Sequence, residues 1–216
     1  MTIRMSPLVR RVLPSEPFAW RGPLGLSYAT RNPSTAAVLD DNYRQRFGVS
    51  RSDMARRFLR FLPLTVSVLE VGSSNGVQLA VLRGLGFTGR MVGLDVCREA
   101  MAGAGEPAVV GDGEALPFPA RSFDLVFTSG TLMHVPFGLR GVFCREILRV
   151  TRRWVWGFEP WSEAAKPLLL DFHGLVPQGW VTNEPVSYLQ LEPLRLLDQE
   201  WWPDSPYTHT MFTLER

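Results

Sequence analysis

The chain is 216 residues long, enough for one domain whose core needs neither disulfides nor metal, since a chain of this size buries about 70% of its unfolded surface. Hydrophobic residues make up 45% and charged residues 20%, a balance that excludes a disordered or fibrous chain. The formal net charge of +2, carried by scattered arginines with Lys166 as the only lysine, argues against a dedicated nucleic-acid binder.

The amino-terminal stretch 1–35 carries Pro14, Pro17, Gly22, Pro23, Gly25 and Pro33 among Phe18, Trp20 and Tyr28, and reads as an irregular cover punctuated by turns. Its basic start lacks the apolar core of a signal peptide, and no run approaches the roughly 20 apolar residues that span a bilayer. Cys97 and Cys144 have no ligand spacing, so no metal is expected and a reducing, cytoplasmic setting is. Helices are predicted at 36–48 and 51–61, the second capped by Ser50 or Ser52 with Met54, Phe58 and Leu59 on one face. Arg56, Arg57 and Arg60 cluster there as a solvated face or as a contact for an anionic partner.

From 66 onward strands and helices alternate. Val66 to Val71 is an apolar run closed by Gly72, Ser73, Ser74, Asn75 and Gly76, and Val77, Leu79, Ala80 and Leu82 then follow a helical period. Met91 to Asp95 is a second strand, followed by a short helix from Arg98 to Ala102. Ala108 to Val110, Phe123 to Thr128 and Arg153 to Phe158 are further strands, with an amphipathic helix from Leu139 to Val150 before the last. Leu194 to Trp201 and Thr208 to Leu214 form an antiparallel pair at the sheet edge. The fold class is therefore α/β: a Rossmann-like, mostly parallel sheet with helices on both faces. The expected division is a cover with helices (1–61), a core (62–160), an insert on the acceptor side (161–190) and carboxy-terminal strands (191–216).

In open α/β sheets ligands bind beyond the carboxyl ends of the strands, and the chemistry-bearing residues gather there. Glu70 and Gly72 end the first strand, and Gly72 lets a ligand approach the main chain closely. The spacing fits neither a GxGxxG dinucleotide turn nor a triphosphate loop. Asp95, ending the second strand, can accept both hydroxyls of a ribose or cap the segment that follows. Asp112, after the third strand, can accept from an adenine amino group while the next main-chain N–H, at Gly113, donates to a ring nitrogen; an Asp-Gly turn is the alternative. Ser129 follows the fourth strand, where the reactive end of a ligand should lie. His134 nearby is a general base, a hydrogen-bonding group beside a sulfonium, or a packed histidine. Glu159, ending the fifth strand, either serves a polar acceptor or holds a turn. His173 lies in a segment, with Trp161, Phe172 and Trp180, that could cover the acceptor.

Glu70, Val71, Gly72 and Gly76, then Asp95, then Gly111 to Phe118, then Phe123 to Phe127 resemble, in this order, the class I S-adenosylmethionine-dependent methyltransferases. The resemblance implies a seven-stranded sheet with its last strand antiparallel. It also implies Gly72 beside the methionine portion, Asp95 at the ribose and Asp112 at the adenine, with Glu70, Ser73, Val96, Gly113 and Ser129 also binding the cofactor. Trp20, Gly25 to Asn32, Ser129 to Val135 and Glu159 to Trp161 are similar to the small methylases associated with pseudaminic-acid and related sugar biosynthesis. That likeness implies an amino-terminal segment folded over the cofactor, with Tyr28 beside it and Arg31 pairing with the methionine carboxylate. The expected protein is an S-adenosylmethionine-dependent enzyme, monomer or homodimer, that methylates nitrogen or oxygen of a sugar-like or amino-bearing small molecule, with His134, Glu159 and His173 as candidate catalytic groups. No nucleic acid or membrane partner is expected. Methylation of RNA or protein, or cofactor binding without catalysis, are the competing readings.

Overall fold

The computed structural model describes residues 20–32, 35–160, 166–169, 178–181, 194–201 and 207–214. Apolar runs form its central strands: β1 (Val68–Val71), β2 (Met91–Asp95), β3 (Ala108–Val110), β4 (Phe123–Ser129) and β5 (Thr151–Pro160). β1 is buried along its whole length, because helices cover both faces of the sheet and no position needs to be polar for water.

Five parallel strands stand in the order β3-β2-β1-β4-β5. The tail strands β8 (Leu194–Trp201) and β9 (Tyr207–Leu214) complete a seven-stranded sheet. β9 runs antiparallel to both β5 and β8, so the last strand in the chain lies between them and β8 forms the edge. The reversal between β1 and β4 on either side of the first strand creates a crevice at the strand ends, where the ligand of such a sheet belongs.

Side chains alternate along each strand, and two cores result. Leu69, Val71, Val126 and Val155 pack on one face against Phe143, Ile147 and Leu148 of α5 (Arg140–Val150). Val68, Leu125, Phe127 and Trp156 pack on the other against α3 (Arg51–Leu59) and α4 (Val77–Gly84). α2 (Ala36–Phe47) adds Leu39 to that second core. Ser50 caps α3 as the sequence predicts, its hydroxyl accepting from the Asp53 amide at 3.0 Å and donating to the Asp53 carboxylate at 2.7 Å. Such a cap is worth about 1 kcal/mol. Cys97 and Cys144 are buried and not joined in a disulfide.

Two expectations are corrected, and the insert gains a description. The cover is not irregular throughout: Pro23 to Arg31 form α1, with Pro23 in the first turn where a missing N–H costs nothing. No helix forms from Arg98 to Ala102; Met101 and Ala102 bond back only three residues, to Arg98 and Glu99, and Gly103 at φ 98° ends the turn. The 161–190 insert contains a separate antiparallel pair, β6 (Lys166–Leu169) and β7 (Gln178–Val181). Among the described residues no helix is long and apolar enough to cross a membrane.

Candidate active site

A cleft of about 370 Å³ opens across the carboxyl ends of β1 to β5. Its floor begins at the turn after β1. Gly72 sits at φ 81°, a conformation that excludes most side chains, and any Cβ there would overlap Thr131. The amides of Gly72 and Ser73 both donate to the Leu94 carbonyl, at 2.7 and 3.0 Å, so the turn is held against the end of β2. Glu70, 1% exposed, lines the cleft, and burial raises its carboxyl pKa well above the ordinary range despite the opposing charge of Arg51. Its Oε2 is buried with no hydrogen-bond partner among the described residues. An acceptor oxygen left this way costs stability unless a ligand donor reaches it.

Asp95 at the end of β2 accepts the Ser74 amide at 2.8 Å and the Cys97 amide at 2.9 Å. Burial raises its pKa and these amide bonds oppose the rise. A carboxylate has about four acceptor positions, so positions remain for ligand hydroxyls. The two readings of Asp95 are thus compatible: it holds the turns on either side and still lines the cleft with Val96. Asp112 and Gly113 line the far end, and a Cβ at Gly113 would overlap the Phe143 ring. Asp112 is paired with Arg21, beside which Trp20 and α1 form the roof. Trp20 lies on the His134 ring, with centroids 4.3 Å apart, and meets Tyr28 edge-on at 5.4 Å.

His134 lines the cleft in the loop after β4. Burial under the roof lowers its imidazole pKa to about 3, and its Nδ1 is buried with no hydrogen-bond partner among the described residues. A general base works best with a pKa near the operating pH, so this neutral ring suits hydrogen bonding rather than proton abstraction. Glu159 is absent from the lining among the described residues; its carboxylate accepts main-chain amides of that same loop. The turn-holding reading of Glu159 is the one this geometry matches. Arg31 is on the exposed side of α1, its Nε donating to the Ser27 carbonyl at 2.8 Å, and the cleft wall is made by Tyr28 and Asn32 instead. His173, with Trp161 and Phe172, lies outside the described residues.

Sequence reasoning missed the wall contributed by α2 and α4. Leu39, Asn42, Tyr43 and Arg46 all line the cleft, and Gln78 of α4 donates to Ser129 Oγ at 3.2 Å. The signal was present: their spacing puts these four on one helix face, and a face carrying Asn, Tyr and Arg beside Leu is not simply core. Beneath them Arg51, 1% exposed, holds its guanidinium 4.4 Å from the Trp156 ring and donates to Gln78 at 2.6 Å.

The sheet order and a strand-end cleft with glycine turn and successive carboxylates define a Rossmann-like enzyme fold. Residues 69–154 match the family model described as a methyltransferase domain. Among solved structures, the chain is similar to the PH0226 protein from Pyrococcus horikoshii (TM-score 0.68, 16% identity, 87% of this chain and 98% of that one). It is also similar to a SAM-dependent methyltransferase from Aquifex aeolicus (TM-score 0.56, 18% identity, 85% and 98%). A third is the glycopeptide N-methyltransferase MtfA complexed with S-adenosyl-L-homocysteine (TM-score 0.62, 12% identity, 90% and 98%). At these identities the likenesses speak for the fold. No curated protein matches the chain in sequence. The methyltransferase domain matched over residues 69–154 and the fold agree in supporting a methyltransferase enzyme whose cofactor is S-adenosylmethionine.

Proposed function

We propose that this enzyme methylates nitrogen or oxygen of a small metabolite, in the cytoplasm, within a cleft roofed by Trp20 and α1. The observation that carries this reading is the cleft itself. Its volume of about 370 Å³ is near the lower end of small-molecule sites, and Trp20 and α1 cover it.

In this reading Glu70 Oε2 accepts from the ammonium of the cofactor, Asp95 takes the ribose hydroxyls, and Asp112 accepts from the adenine amino group beside the Gly113 amide. Gly72, Ser73, Val96, Tyr28 and Ser129 shape the surface between them. Bound S-adenosylmethionine supplies a methyl group on a sulfonium: the acceptor lone pair forms the new bond while the carbon–sulfur pair returns to sulfur. The protein's share is alignment and exclusion of water, which together account for on the order of 7–11 kcal/mol of such barriers. His134, neutral where it lines the cleft, would add no charge opposing a bound sulfonium. An attacking amine then releases its proton to water.

The test is release of S-adenosylhomocysteine across a panel of small amines and hydroxy compounds, set beside RNA and protein. Turnover with small acceptors is expected. Turnover confined to the macromolecules overturns the reading.

A further inference from the structure

Four side chains on the α3 and α4 side of the sheet form a connected chain that ends in the cleft. Arg51, at the start of α3, is 1% exposed, and its Nε donates to Gln78 Oε1 at 2.6 Å. Gln78 Nε2 in turn donates to Ser129 Oγ at 3.2 Å. The Tyr43 hydroxyl hydrogen-bonds with the Gln78 and Ser129 side chains. Tyr43, Gln78 and Ser129 line the cleft. Arg51 lies beneath them, its guanidinium 4.4 Å from the Trp156 ring centre and 5.8 Å from that of Tyr43.

This chain has a direction. A guanidinium can only donate, so the Gln78 atom facing Arg51 is its oxygen and the atom facing Ser129 is its nitrogen, a donor. Ser129 Oγ therefore accepts at that contact, and its own hydrogen points elsewhere. Burial raises the Tyr43 pKa above its ordinary 10, so the phenol keeps its proton at neutral pH. Between two hydroxyls in contact only one hydrogen lies along the shared bond. With Gln78 Oε1 engaged by Arg51, the other hydrogen turns toward the cleft that both residues line. Arg51 also faces the negative charges of Glu70 and Asp40, so what it contributes at Ser129 is orientation rather than net charge.

Ser129 and Glu70 share one face of the sheet. Glu70 is level with Phe127 on the adjacent strand, and Ser129 lies two residues further along it. A strand spacing of about 4.8 Å and a rise of about 3.3 Å per residue put the two positions roughly 8 Å apart. An α-amino acid head with its ammonium at Glu70 bridges that gap and brings its carboxylate to the hydroxyls. We infer that Arg51 is a positioning residue for the cofactor: acting through Gln78, it holds the Ser129 and Tyr43 hydroxyls as donors to the carboxylate of the methionine portion. This rests on the cofactor placement proposed above, in which Glu70 receives the ammonium.

The experiment is calorimetric titration with S-adenosylhomocysteine and with its decarboxylated analogue, which keeps the adenosine, sulfur and amine and lacks only the carboxylate. Wild-type protein should bind S-adenosylhomocysteine about tenfold more tightly than the analogue. Gln78→Glu keeps a partner for Arg51 but shows Ser129 an oxygen, which draws the hydroxyl hydrogens inward. In that variant and in Ser129→Ala most of the preference should vanish, while affinity for the analogue stays within about twofold. Arg51→Gln frees the Gln78 amide to flip and should lose part of the preference without any ligand contact. Arg51→Lys, which still donates, should restore some of it. No preference in the wild type overturns the inference. So does a preference kept in both Gln78→Glu and Ser129→Ala, which gives the carboxylate to another group such as Arg46. Equal loss of the two ligands in every variant makes the network structural only and overturns it as well. Wild-type protein that binds neither ligand overturns the cofactor placement itself, so the two failures are distinguishable.

Discussion

The Glu159 carboxylate, 1% exposed at the end of β5, accepts the amide of Thr131 at 2.9 Å and that of Leu132 at 3.1 Å. One side chain from the fifth strand thus holds the loop that follows the fourth, and with it the position of His134. Burial raises the Glu159 pKa to about 7 against its ordinary 4.5, although the amide bonds oppose the rise. The folded state then keeps a proton that the unfolded chain releases between those values. Stability attributable to Glu159 is accordingly full below about pH 4.5, declines as pH rises to about 7 and is level above it. Glu159→Gln should remove this decline. Urea unfolding of both proteins at pH 5, 6, 7 and 8 measures it, and parallel stability profiles would sink the assignment.

His134 gives the opposite slope. Its imidazole has a pKa of about 3 in the fold against 6.5 when unfolded, because burial disfavours the charged ring. Its contribution is present above pH 6.5 and is lost progressively as pH falls toward 3. Phenylalanine at this position keeps a ring beneath Trp20 and cannot titrate, so His134→Phe should lose less stability than wild type between pH 7 and pH 5. By nuclear magnetic resonance the imidazole carbon-bound protons should not shift over the same range. A titration centred near 6.5 contradicts the buried, neutral ring and reopens its use as a general base.

The cofactor half makes a separate prediction at Asp95, which has acceptor positions left after serving Ser74 and Cys97. Asp95→Ala should weaken S-adenosylhomocysteine binding by about tenfold or more, the loss expected when a charged group's hydrogen bonds are removed. Part of that loss comes from freeing the two amides it holds. Asp95→Asn separates the effects, since one side-chain oxygen can still accept an amide. Unchanged calorimetric affinity in both variants would place the ribose elsewhere.

The parts of this protein legible in its sequence are those where one pattern had one physical cause. Val68 to Val71 reads as a central strand because both of its faces are covered, and Gly72 marks its end because a Cβ would strike Thr131. β8 and β9 read as an antiparallel pair because only a short turn-forming stretch, Pro203 to Pro206, separates them in sequence. Legibility failed where a tertiary contact decided the outcome. Gly25 and Pro23 look like breakers, yet Gly25 sits in α1 because its bare Cα fits against the Trp20 carbonyl and Cys97. Ala100, Met101 and Ala102 look helical, but five residues ahead of Gly103 are too few to repay nucleation. For Glu159, strand position alone did not reveal which way the carboxylate turns, and the answer lay in amides 27 and 28 positions earlier. The α2 wall escaped notice because helices before the first strand were read for core residues alone.

Gly113 offers a test of how tightly the adenine end is built. It is buried, and an added Cβ would overlap the ring of Phe143, a side chain 6% exposed in the core beneath α5. Gly113→Ala must therefore move either the Phe143 ring or the loop carrying Asp112. Overpacking of this kind costs about 1–3 kcal/mol, and movement of the loop should also weaken S-adenosylhomocysteine binding. Phe143→Leu alone should destabilise the core through lost packing. Combined with Gly113→Ala, the smaller side chain makes room for the methyl group, so the double variant should be more stable than the sum of the two losses predicts and should recover cofactor affinity. Such coupling between residues in contact is on the order of 0.5–3 kcal/mol and is read from a double-mutant cycle of urea unfolding. Strictly additive losses would mean that the loop, not the ring, absorbs the clash, and affinity would then stay low in the double variant.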